Sequence, residues 1–143
     1  MTEVKKSGRI AKDTLDFIRE VCKSTHPREF IGLLCADGDL ITDVILLPGT
    51  RSSDEQAIMR VDMLPTGLRS VGSVHSHPSS DAMRPSAQDL RMFSKRGAYH
   101  IIVFFPYGEH DWRCYNSQGD ERELEVVEGG EGGYGKGIGN GNI

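Results

Sequence analysis

Ile10, Thr14, Phe17, Ile18 and Val21 follow helical spacing near the start of the chain, and Leu15 widens the stripe. The pattern predicts an amphipathic helix over Ser7 to Lys23, with Ser7 as its N-cap and its apolar face packed on a sheet. Pro27 stops any helix before it, and the period then changes. Phe30 to Cys35 is a continuous apolar run of strand length. An Asp37-Gly38 turn and a second strand over Leu40 to Leu47 follow, which predicts a hairpin with Glu29 at its mouth.

Beyond a polar stretch from Pro48 to Glu55, Ala57 to Val61 reads as a strand. Asp62 to Ser70 is ambiguous, readable as a short helix interrupted by Pro65 and Gly67. Ser70 to His75 reads as a strand and Ser86 to Lys95 as a helix stopped by Gly97. Tyr99 to Phe105 is apolar throughout, as expected of a central strand covered on both faces, and Asp111 to Tyr115 and Glu121 to Val127 close the sheet. The sum is an α/β chain, a mixed β-sheet flanked by α-helices. Gly129 to Ile143 holds eight glycines and one tyrosine, too little apolar surface to offset the entropy of ordering. A flexible tail is expected after a domain spanning residues 1–128.

Composition narrows the function without naming it. The 143 residues suit one domain with one core. A hydrophobic content of 37% and a net charge of -4 fit a globular chain and argue against general nucleic-acid binding. No apolar run approaches the ~20 residues of a membrane span, and Met1 to Lys6 leads into an amphipathic pattern, not a signal-peptide apolar region. The expected location is the cytoplasm, with no membrane partner. Cys22, Cys35 and Cys114 are widely spaced and contain no CxxC pair, which suits buried small hydrophobes better than a thiolate metal site or a disulfide framework.

The candidate chemistry gathers where an apolar run ends, at Val74-His75-Ser76-His77-Pro78. Residues i and i+2 of an extended chain share a face, so both imidazoles can reach one ion while Ser76 points away. Pro78 forbids further central pairing. The helix that follows has Ser86 at its N-cap position and Asp89 in its first turn, from which a carboxylate could face back to the two histidines. Two imidazoles and one carboxylate are the protein ligands of a catalytic zinc, whose fourth position holds water. Ser86-x-x-Asp89 is also a capping-box variant, with Asp for the usual Glu, and the two readings are compatible.

His75-Ser76-His77-Pro78, then Ser86-Ala87-Gln88-Asp89, with Glu29 far upstream ahead of Gly32-Leu33-Leu34, resembles the JAMM (MPN-plus) zinc metalloprotease family. The resemblance covers roughly Gly8 to Val127. It implies the family's three-layer, cytidine-deaminase-like architecture and one catalytic Zn2+ held by His75, His77 and Asp89. It also implies that Glu29 acts as general acid-base; zinc and the Ser86 hydroxyl or nearby amides would stabilise the oxyanion. The implied substrate is a ubiquitin-like modifier or sulfur-carrier protein, cleaved at its C-terminal Gly-Gly, with Arg51 to Val61 as a candidate edge for the substrate backbone; a homodimer is left open. The chain looks like the minimal, prokaryote-type form.

Three rival classes bear on the same residues. Polynuclear phosphoesterases share the HxH opening, but they collect several further His and Asp ligands, and only five histidines occur here. A nucleobase deaminase needs HxE with a PCxxC partner, which the sequence lacks. Non-catalytic MPN scaffolds have lost their ligands, whereas the ligand set here is intact. His26, His100 and His110 read as loop, buried-strand and turn residues.

Overall fold

The computed structural model describes residues 8–47, 69–79, 84–95 and 97–128. Its strands are β1 (Gly8–Ala11), β2 (Ile31–Asp37), β3 (Leu40–Leu47), β4 (Arg69–His77), β5 (Tyr99–Phe104), β6 (Trp112–Tyr115) and β7 (Leu124–Val127). Helix α1 (Lys12–Thr25) joins β1 to β2, and α2 (Ala87–Phe93) lies between β4 and β5. All the strands form one mixed sheet in the order β6-β5-β4-β2-β3-β1-β7. β2 is antiparallel to both β3 and β4. β4 and β5 are parallel and so need a crossover connection, which contains α2.

The two described helices cover opposite faces. Leu15, Ile18 and Cys22 of α1 pack with Leu34, Ile41, Val74, Ile101 and Val103 in the main core. On the other face Met92 packs with Ile31 and Leu33, and Phe93 with Ile102 and Tyr115. Alternation along each strand divides its residues between these layers, so β2 and β5, covered on both sides, are apolar almost throughout. The hairpin turns on Gly38 and Asp39, one residue later than expected, because Asp37 still pairs with Leu40. Gly38 supplies the positive φ of 64° that the turn needs. Gly97, at φ 73°, reverses the chain from α2 into β5. There an added Cβ would meet the Val71 carbonyl oxygen at 2.2 Å.

The expected helix over Ser7 to Lys23 is corrected. Gly8 to Ala11 is a strand, paired parallel with both β3 and β7, and Ser7 lies outside the described residues. Ile10 is fully buried either way, and a strand running straight into a helix with the same buried side keeps a helix-like spacing. Pairing on both edges outweighs local propensity. Ala11 is the N-cap, with no side-chain hydrogen bond. The buried stripe of α1 is Thr14, Leu15, Ile18 and Cys22, while Phe17 is 49% exposed.

β4 extends through His77, two residues past the expected end. All three cysteines are buried and unpaired, and burial pushes the thiols of Cys22 and Cys114 up to about 12 and that of Cys35 to about 11. The structural reading of these thiols fits. No described helix is long and apolar enough to cross a membrane. The expected Ala57 to Val61 strand, the Arg51 to Val61 edge and the Gly129 to Ile143 tail lie outside the described residues.

Candidate metal and catalytic site

The pleat of β4 sets its histidines against α2. Val74 joins the α1 core, which places Ser73, His75 and His77 on the opposite face. The His75 ring meets Phe93 edge-on, 6.1 Å between centroids. His75 and His77 are 7% and 9% exposed, at the end of the strand where Pro78 breaks the ladder.

α2 brings the carboxylate to them. The Ser86 hydroxyl accepts from the Asp89 amide at 3.0 Å, and the Ser86 amide donates to Asp89 Oδ2 at 2.9 Å, a reciprocal capping box. The cap orients Asp89 as well as ending the helix: Oδ2 lies 3.2 Å from His77 Nε2, and Oδ1 lies 3.6 Å from His75 Nδ1. Ser86-x-x-Asp89 is thus a capping box whose carboxylate also faces the two histidines.

Burial pushes the His75 ring down to about 4, against an opposing pull from Asp89, so it is neutral at neutral pH. Burial works to raise the Asp89 carboxyl. The hydrogen bond from His77, the His75 charge and the Ser86 amide outweigh it and bring the group to about 2. With His75 neutral, the lasting supports of the carboxylate are His77 and the Ser86 N–H.

His75 Nε2 is buried and lacks a hydrogen-bond partner among the described residues, where a satisfied polar atom is the rule. Two imidazoles and a carboxylate suit zinc, and an orphaned neutral imidazole nitrogen is the kind of donor such an ion uses. Among the described residues no three such side chains already stand in a cation-holding arrangement. Asp89 bonds His77 directly here, so it is the chemistry of the donor set that fits the ion.

Glu29 is exposed, one residue before the Phe30 pairing. β2 pairs Ile31 with His75. Hydrogen bonds from Ser76 N to Phe30 O and from Phe30 N to Ser76 Oγ carry the pairing one step further. Glu29 is the next residue, just before β2 and at the end of β4 that carries His75 and His77. The Phe30–Ser76 hydrogen bonds thus bring the chain just before β2 to the histidine end of β4.

The remaining histidines stand apart from this group. His100 is fully buried, its Nε2–H donating to the Gly97 carbonyl at 3.1 Å and its Nδ1 accepting from the Ser73 hydroxyl at 2.8 Å. His26 stacks on Phe105 and bonds Tyr107, and His110 lies in the turn before β6. Sequence reasoning missed Phe93, which stacks on His100 at 4.3 Å and backs His75. The signal was present, since Phe93 follows Asp89 by four residues and shares its helix face.

The family of prokaryotic homologues of the JAB domain matches residues 11–115. A probable metalloprotease of Haloferax volcanii is 41% identical over 129 residues, covering 83% of this chain and 79% of the relative. A solved JAB1/MPN domain protein from Archaeoglobus fulgidus is 44% identical with a TM-score of 0.71, over 84% of this chain and 99% of that one. A second solved structure, described as JAMM, a metalloprotease-like zinc site in the proteasome and signalosome, is 41% identical with a TM-score of 0.66, over 86% and 100%. With the mixed sheet between two helices and the His75, His77 and Asp89 group at the end of β4, these matches mean that the chain belongs to the JAMM/MPN family, in its prokaryotic JAB-homologue branch.

Proposed function

We propose that the chain is a zinc metalloprotease that hydrolyses a peptide or isopeptide bond after the C-terminal Gly-Gly of a ubiquitin-like modifier or sulfur-carrier protein. The observation that carries the hydrolase reading is the meeting of His75, His77 and Asp89 at the end of β4, with Glu29 just before β2 at the same end of the sheet. The description of the Haloferax volcanii relative as a probable metalloprotease and of a solved relative as a JAMM zinc site supports it.

His75, His77 and Asp89 would hold the zinc, the first through a neutral ring and the last as a carboxylate, the protonation states that metal binding requires. Zinc, when bound, supplies Lewis acidity that polarises the scissile carbonyl and makes water a better nucleophile at neutral pH. A Glu29 carboxylate oxygen takes a proton from the attacking water as the water oxygen bonds to the carbonyl carbon. The same carboxyl returns that proton to the nitrogen as the C–N bond breaks. The Ser86 hydroxyl accepts from the Asp89 amide, which leaves its own proton to donate to the carbonyl oxygen as charge builds there.

Glu29→Gln tests the division of labour. It is expected to keep about one zinc per chain and lose about 10²-fold or more in turnover; near-normal turnover would reject the role. A ubiquitin-like domain joined through Gly-Gly to a reporter amine, compared with the isolated tail peptide and a phosphodiester, tests the substrate. Chelator-sensitive release, much faster from the fusion, is expected. Turnover of the phosphodiester alone would overturn the protease reading, and a chain with neither zinc nor turnover would be a scaffold.

A further inference from the structure

Ser76, between the two histidines, is 1% exposed and faces away from them. Its amide donates to the Phe30 carbonyl at 3.0 Å. In a regular antiparallel pair the Phe30 N–H would return the bond to the Ser76 carbonyl. It donates instead to the Ser76 hydroxyl, at 2.8 Å. That N–H belongs to the peptide unit joining Glu29 to Phe30, so the hydroxyl sets the plane of this unit and with it the direction in which Glu29 leaves β2. On the other side of Glu29 the Arg28 amide is tied to the Thr25 carbonyl at 2.8 Å, and the Phe30 side chain is anchored in the α1 core.

We propose that Ser76 is a positioning residue for Glu29, acting through the Phe30 amide; this rests on the acid-base reading of Glu29 above. Without the hydroxyl, the Phe30 N–H must find another acceptor. The nearest by register is the Ser76 carbonyl, and a bond to it would turn the Glu29–Phe30 peptide towards ordinary ladder geometry. A general base works only within hydrogen-bond reach of the proton it moves, and a misplacement of about 1 Å can cost on the order of 10²-fold in rate. One motif then does two jobs: its histidines face the site, and the serine between them holds the approaching strand from the other side of the sheet.

The test compares Ser76→Ala and Ser76→Thr in the zinc-loaded full chain, each with Glu29 intact and with Glu29→Gln. The probe is a ubiquitin-like domain joined through Gly-Gly to an aminocoumarin. Ser76→Ala is expected to lower kcat by about 10- to 100-fold, with KM and zinc content unchanged, and Ser76→Thr, which keeps a hydroxyl, to restore it. In the Glu29→Gln background Ser76→Ala should cost nothing further, because its effect runs through the missing carboxylate. Independently of turnover, amide hydrogen exchange at Phe30 should speed up in Ser76→Ala and not in Ser76→Thr. If the alanine variant does not fold, Ser76→Cys, with a weak sulfur acceptor, replaces it with the same expected split. Normal kcat in the alanine variant, an equal loss in the Glu29→Gln background, or unchanged Phe30 exchange would each overturn the proposal while Glu29→Gln stays inactive. Normal turnover in Glu29→Gln alone would overturn the Glu29 reading and this proposal together.

Discussion

His100 and His75 lie on neighbouring strands, on the sheet face that α2 covers, and burial pushes both rings down to about 4. At the Gly97 end of that face, both nitrogens of His100 are engaged, by Ser73 and by the Gly97 carbonyl. At the Pro78 end, His75 has one nitrogen towards Asp89 and the other without a partner among the described residues. Phe93 spans the two, stacked on one ring and edge-on to the other. Burial and pKa do not separate the structural His100 from the proposed ligand His75. Hydrogen-bond satisfaction does, because a neutral ring with both nitrogens engaged has no lone pair left to give.

Removing a ligand should break the comparison most strongly. Asp89→Asn, or His75→Ala with His77→Ala, is expected to weaken zinc binding by more than about 100-fold, beyond the 10- to 100-fold typical of outer partners. Elemental analysis after dialysis measures it. Retained zinc in the double histidine variant would reject the ligand assignment.

His100→Ala should behave in the opposite way. It empties a packed site and strands the Ser73 hydroxyl, which together cost about 3 to 4 kcal/mol, and it leaves zinc at about one per chain. Denaturant unfolding and metal analysis on the same sample check both halves. Loss of metal with full stability would interchange the two histidines.

The pH dependence sharpens the contrast in metal-free protein. The folded pKa of His100 lies near 4 and the unfolded value near 6.5, so between them the unfolded chain binds more protons. Stability from this residue is fully present above pH 6.5 and is lost as pH falls towards 4, by at most about 3 kcal/mol. His100→Gln should flatten that slope in unfolding measurements across the window, and an unchanged slope would reject the linkage. On stability, the smallest effect is expected from Ser86→Ala, which removes one half of the capping box. It should cost about 1 kcal/mol of stability, read as a lowered denaturation midpoint, and no change would mean that the cap bears no load.

Much of this was legible locally. The i and i+2 spacing of His75 and His77, Pro78 at the strand's end, and Ser86 three residues before Asp89 place their side chains through backbone geometry alone. The Leu40–Leu47 strand and the buried Tyr99–Phe104 strand follow from short-range period in the same way. The Gly8–Ala11 strand was not legible, because its pairing partners lie some 30 and 116 residues further on, and a short apolar stretch carries no mark of which distant strand will claim it.

Tertiary structure alone decided the rest. That His100 is satisfied and His75 is not depends on Ser73 and Gly97 meeting one ring across the β4–β5 pair. That Ser76 holds Phe30, and with it the chain at Glu29, depends on the register between β2 and β4. The sequence by itself determined which side chains could do the chemistry and which faces they share within one element. Which of them meet was decided by strand pairing between distant segments, since register is a property of two strands and neither one carries it alone.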